Sequence, residues 1–99
     1  MVFEVRQSSI YRDWFDRLRD RQAKARIDSR ISRLSMGNAG DAKSVGSGVS
    51  ELRIDYGPGY RVYFSRKGKT IILLLCGGDK RTQQADIERA IEIARHGTE

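Results

Sequence analysis

Three cations in one short stretch are the residues best suited to chemistry: Arg53, Arg61 and Lys80. Arginine offers a planar fork of donors that matches phosphate oxygens, and lysine offers a compact point charge on a titratable amine. Together they can grip an RNA phosphodiester and neutralise the extra charge of a pentacoordinate transition state. Preorganised donors of that kind are worth roughly 10²–10³ in rate each. In RNA the attacking group is the neighbouring 2′-hydroxyl, so the reaction needs no metal in principle. Other catalytic sets do not assemble. The single histidine, His96, sits near the C-terminus, and the single cysteine, Cys76, lies inside an apolar run. Neither a Ser-His-Asp set nor a zinc site of the usual kind can be built from them. Gly46-Ser47-Gly48 is a lone Gly-x-Gly with no helix after it, not a phosphate loop. Catalysis, if any, runs on Arg, Lys, Glu, Asp and Tyr, with no cofactor and no metal. The same stretch also has a purely structural reading, in which Asp55 faces Arg61 as a cross-strand charge pair.

Strands must position these cations. Residues 51–56 alternate with period two: Leu52, Ile54 and Tyr56 take one face, Glu51, Arg53 and Asp55 the other. Gly57-Pro58-Gly59 is a strong turn signal, since Pro pre-sets one dihedral and Gly supplies positive φ. A three-residue turn pairs Tyr56 with Tyr60, Ile54 with Val62 and Leu52 with Phe64. The opposite face then carries Glu51, Arg53, Asp55, Arg61 and Tyr63, and is polar. Residues 71–76 do not alternate; an apolar run bounded by Lys69-Thr70 and Gly77-Gly78 reads as a strand buried on both faces, the expected sheet centre. Burying each of its aliphatic side chains contributes roughly 1.5–3 kcal/mol. The run ends at two glycines and delivers Asp79 and Lys80 to the sheet's end.

Residues 2–6 form a short candidate strand. Ser8 or Ser9 caps a helix with Ile10, Trp14 and Leu18 on its stripe and Tyr11 and Phe15 beside it. Asp20 caps a second helix, residues 21–36, with Ala23, Ile27, Ile31 and Leu34 inward and Gly37 as its left-handed stop. The outer face of the pair carries Arg17, Arg19, Arg21, Lys24, Arg26, Arg30 and Arg33, and Asp20–Lys24 is spaced for an ion pair. Residues 38–50 are rich in Gly, Ser, Ala and Asn and read as a long loop whose one cation is Lys43. Residues 65–69 make a tight basic loop. Thr82 caps a last helix with Ile87, Ala90, Ile91 and Ala94 inward, ended by Gly97. Helices followed by strands argue α+β, in the order βααβββα, with helices on one side of a mostly antiparallel sheet.

With 99 residues, one domain spanning 1–99 is expected. The formal charge of +6 favours a polyanionic or acidic partner over a neutral one. No apolar run approaches the roughly 20 residues of a membrane span, so no membrane partner is expected. One buried cysteine and no basic-then-apolar leader make the cytoplasm the expected location.

Several motifs together resemble the RelE/ParE superfamily of toxins, above all its HigB-like branch of addiction module killer proteins. They are Glu-Leu-Arg-Ile, Gly-Tyr-Arg-Val-Tyr-Phe, Ile-Leu-Leu-Leu-Cys-Gly-Gly-Asp-Lys-x-Thr-Gln and Asp-Ile-x-x-Ala. Trp14, the Ala-Lys-Ala-Arg-Ile helix and Gly-Asn-x-Gly-Asp fit the same branch. The resemblance implies a small α+β toxin, neutralised by an antitoxin that often carries a helix-turn-helix domain and through which alone it meets operator DNA. RelE-like members cleave mRNA on the ribosome without metal and leave a cyclic phosphate. By that likeness Arg61 contacts the scissile phosphate, Lys80 holds the basic position past the last strand, and Arg53 is near a cationic position on the preceding strand. Lys43 matches a loop lysine that touches RNA, and Arg66, Lys67 and Lys69 suit ribosomal RNA. Asp86-Ile87 stands where relatives tend to place a Tyr, which leaves Glu51, Asp79, Tyr63 or Lys80 as substitutes for the general base. Tyr63 also counts among the RNA-facing residues. The ParE-like alternative is a poison of DNA gyrase without hydrolytic chemistry, and a further one is an inactive antitoxin-binding module.

Overall fold

Alternation along residues 49–54 and 60–65 sends side chains to two faces of a sheet, and in the computed structural model each face has its own apolar cluster. The structure describes residues 2–96, so the expected stop at Gly97 lies outside the described residues. Five strands, β1 (Glu4–Gln7), β2 (Ala42–Gly46), β3 (Val49–Ile54), β4 (Tyr60–Lys67) and β5 (Ile71–Gly78), lie in the order β1-β5-β4-β3-β2. Only β1 pairs in parallel, along β5. The helices are α1 (Ser9–Arg17), α2 (Arg21–Ser35) and α3 (Gln83–His96), the last preceded by a 3-10 turn, Lys80–Thr82. This is the α+β, mostly antiparallel architecture of a RelE-like chain.

On one face Tyr11, Ile27 and Leu34 of α1 and α2 pack on Leu52, Ile54, Val62, Phe64, Ile72 and Leu74. On the other, Ala90 and Ile93 of α3 cover Val49, Tyr63, Leu73, Leu75 and Cys76. Helices therefore lie on both faces, not on one side. The caps of α1 and α2 are as read, whereas Thr82, expected to cap α3, donates its hydroxyl to Asp86 Oδ2 instead: the Ser8 hydroxyl accepts from the Tyr11 N–H at 3.0 Å and donates to the Leu75 carbonyl at 2.6 Å. Asp20 accepts from Gln22 and Ala23, which satisfies N–H groups the helix leaves orphaned. Its other oxygen takes the Tyr56 hydroxyl at 2.8 Å. Lys24 instead lies 5.2 Å from the centre of the Phe15 ring, so the expected Asp20–Lys24 pair is replaced by these contacts.

Three further expectations change. Residues 38–50 contain a strand, β2, that the small polar residues disguised, so the order is βααββββα. The sheet centre is β4, with β5 beside it, although β5 is buried on both faces as read. The hairpin register is Ile54↔Tyr60, Leu52↔Val62 and Arg53↔Arg61, two residues from the expected pairing. The turn is five residues rather than three, because Tyr56 leaves the ladder to reach Asp20. A shift of two preserves the faces, since side chains alternate with period two.

Candidate functional site

β3 and β4 carry Arg53 and Arg61 to directly opposed positions beside their connecting turn, and β4–β5 pairing sets Arg61 against Gly78. Two residues on, Lys80 turns back over the hairpin. Its aliphatic stem lies on Gly59, whose φ is +81°; a Cβ there would stand 3.0 Å from Lys80 Cγ. Only glycine suits both that backbone and that approach. Arg53, Arg61 and Lys80 thereby line a single cleft of about 350 Å³, with Asp41, Asp55 and the turn. Arg30 fixes its rim by donating to the carbonyls of Arg53, Ala39 and Asp41. This arginine points inward and does not belong to the outer basic face.

Beneath the cleft lies Glu51, fully buried. Its Oε1 accepts from Arg53 Nε at 3.0 Å. Its Oε2 accepts from Gln83 Nε2 at 2.8 Å and the Tyr63 hydroxyl at 3.0 Å, and stands 3.8 Å from Arg61 Nε. Burial pushes the Glu51 carboxyl up, but the bonds from Gln83, Arg53 and Tyr63 and the charge of Arg61 outweigh it and hold it below the ordinary glutamate value. Arg61 is 7 % exposed. Its Nη1 donates to the carbonyls of Gly59 and Tyr60 at 3.3 Å each. Its Nε is a buried donor without a hydrogen-bond partner among the described residues. Lys80 has no ion pair among the described residues.

The structure brings Arg53, Arg61 and Lys80 together over Glu51, and separates the rest. The expected Asp55–Arg61 pair does not form, because Asp55 lies in the turn and Arg53 faces Arg61. Tyr63 is fully buried and its hydroxyl is committed to Glu51, which corrects its place among the RNA-facing residues. Burial, then the bond to Glu51, pushes its pKa up. Asp79 caps the 3-10 turn and pairs with Arg81 at 3.0 Å; the bond from Arg81 holds its pKa down. Lys43 and Arg66 line a second hollow of about 460 Å³ instead. Arg66, Lys67 and Lys69 lie at the far end of the hairpin, roughly 20 Å from Arg61 by strand rise. Cys76 is packing: burial pushes its thiol up to about 12. No three His, Cys, Asp or Glu side chains are grouped to hold a metal ion among the described residues. Sequence reasoning missed Gln83, which reads as an ordinary first-turn glutamine until α3 is seen to start above Glu51.

The sequence model of the phage derived protein Gp49-like family (DUF891) matches residues 13–98. The chain belongs to that family. It is a RelE-type, toxin-like family associated with plasmid stabilisation, and membership points to the toxin side of a toxin–antitoxin pair. A protein of Haemophilus influenzae strain Rd, described as uncharacterized, is 45% identical over 95 residues, 96% of each chain. No helix among the described residues is long and apolar enough to cross a membrane.

Proposed function

We propose that this chain is the toxin of a type II toxin–antitoxin system, in the HigB-like branch, and a ribosome-dependent, metal-independent mRNA endonuclease that stops translation. The observation that carries this reading is the meeting of Arg53, Arg61 and Lys80 on one cleft, with Lys80 in no ion pair among the described residues. The two guanidinium forks take the non-bridging oxygens of the scissile phosphate, and Lys80 adds a point charge. The adjacent 2′-oxygen forms a bond to phosphorus and loses its proton, and the bond to the 5′-oxygen breaks as that oxygen gains one. A cyclic phosphate remains. Residues 1–99 form one toxin domain, working in the cytoplasm with mRNA and the ribosome. Its antitoxin partner carries a helix-turn-helix domain, and operator DNA is met only through that partner. Lys43, Arg66, Lys67 and Lys69, outside the cleft, suit ribosomal RNA.

Expression of Arg61→Ala beside the wild type tests the reading, through growth arrest and mapped mRNA cut sites. Arrest that persists undiminished at equal expression removes Arg61 from the mechanism. One observation favours a second reading, the gyrase poison: of the four candidate bases, Glu51, Tyr63 and Asp79 are committed to other partners, and only Lys80 remains for proton transfer. This fold can host either activity. Induction of a DNA-damage response with translation intact selects the gyrase reading, and rapid loss of translation selects mRNA.

A further inference from the structure

Glu51 stands where a general base would be sought, yet its surroundings give it other work. Arg53 and Arg61 are directly opposed across two strands, an arrangement in which like charges repel. Glu51 lies one step back on the same face, with one oxygen toward each guanidinium. A carboxylate has about four lone-pair sites. Arg53 takes one on Oε1, Gln83 and Tyr63 take both on Oε2, and Arg61 Nε stands 3.8 Å from that same Oε2. The second site on Oε1 is closed to a substrate hydroxyl by burial, since the side chain is fully buried. A base must reach the proton it takes.

From this geometry we infer that Glu51 is a positioning residue, locked by Gln83 and Tyr63, which holds Arg53 and Arg61 side by side toward the cleft. Gln83 and Tyr63 do not line the cleft and act only through Glu51. The grip is unequal: Arg53 is bonded at 3.0 Å, whereas Arg61 Nε lies at 3.8 Å and keeps an unused donor. The inference rests on the phosphodiester reading only for what the arginines hold.

The test uses the full chain with Gln83→Ala, Tyr63→Phe and Glu51→Gln. Side-chain Nε–Hε NMR signals of Arg53 and Arg61 report their restraint with or without turnover. Gln83→Ala is expected to shift both signals and to speed their exchange with water about tenfold, the weight of one hydrogen bond. Unchanged signals overturn the inference, whatever the protein acts on. In single-turnover cleavage of mRNA on programmed ribosomes, Gln83→Ala and Tyr63→Phe are expected to slow the reaction about tenfold, and Glu51→Gln on the order of 100-fold. All three keep the acid limb of the pH–rate profile. If Glu51→Gln loses that limb while Gln83→Ala cleaves like the wild type, Glu51 is the base and the inference is wrong. A wild type that leaves mRNA intact refutes the nuclease reading alone, and the NMR result then supports or overturns the positioning role.

Discussion

Replacing Gly78 by Ala places a methyl group on the Asp86 carboxylate. The added Cβ would overlap Asp86 Oδ2 and stand 2.8 Å from Asp86 Cγ, with Thr82 Oγ1 next at 3.1 Å. Gly78 has no positive φ, so the backbone itself accepts alanine. In isolation the change gains about 0.4–1 kcal/mol by reducing the freedom of the unfolded chain. Against that, forcing a carboxylate out of a packed contact costs about 1–3 kcal/mol. The net expectation is destabilisation by about 1–2 kcal/mol, or a fall in Tm of about 4–16 °C for a domain of this size. In an Asp86→Ala background the obstruction is gone. The nearest remaining atom is then the Thr82 hydroxyl oxygen, which rotates away. The same Gly78→Ala change is therefore neutral or stabilising there. Urea unfolding of the four proteins of this double-mutant cycle, at matched m-values, measures the coupling, expected at about 1 kcal/mol or more. Equal effects of Gly78→Ala in both backgrounds refute the reasoning. Because Gly78 pairs with Arg61 and Asp86 lies in the same first turn as Gln83, the destabilised single variant also bears on the cleft.

Two further outcomes follow from the same contacts. The Glu51 pKa is depressed in the folded chain, so its contribution to stability is complete above the ordinary glutamate pKa of about 4.3 and is lost as pH falls through the lower folded value. Glu51→Gln is expected to be less stable at neutral pH and less sensitive to acid than the wild type; parallel pH–stability curves contradict this. Ser8→Ala removes a helix cap and leaves the Leu75 carbonyl without the serine hydroxyl, at a cost of about 1–3 kcal/mol by denaturant unfolding. A change below about 0.5 kcal/mol shows that the bond contributes little.

Local chemistry was legible from residue order alone. The stripes of α1 and α2, the capping by Ser8 and Asp20, the stop at Gly37 and the apolar run of β5 follow from periodicity, hydrogen-bonding side chains and backbone freedom, which act within a few residues. Even the faces of the β3–β4 hairpin were readable, because period two survives a register error of two. The small polar residues of β2 carry no such signal; that strand forms because β3 offers an unpaired edge. Whether Arg53, Arg61 and Lys80 share a cleft depended on where β5 ends relative to β4 and on Gly59 letting the Lys80 stem pass, distances that alternation does not encode. The role of Glu51 depended on more distant partners still. A carboxylate on a strand becomes a base or a brace according to the donors that surround it. Here two come from its own sheet neighbourhood, Arg53 and Tyr63, while Gln83 arrives with a helix 32 positions along the chain.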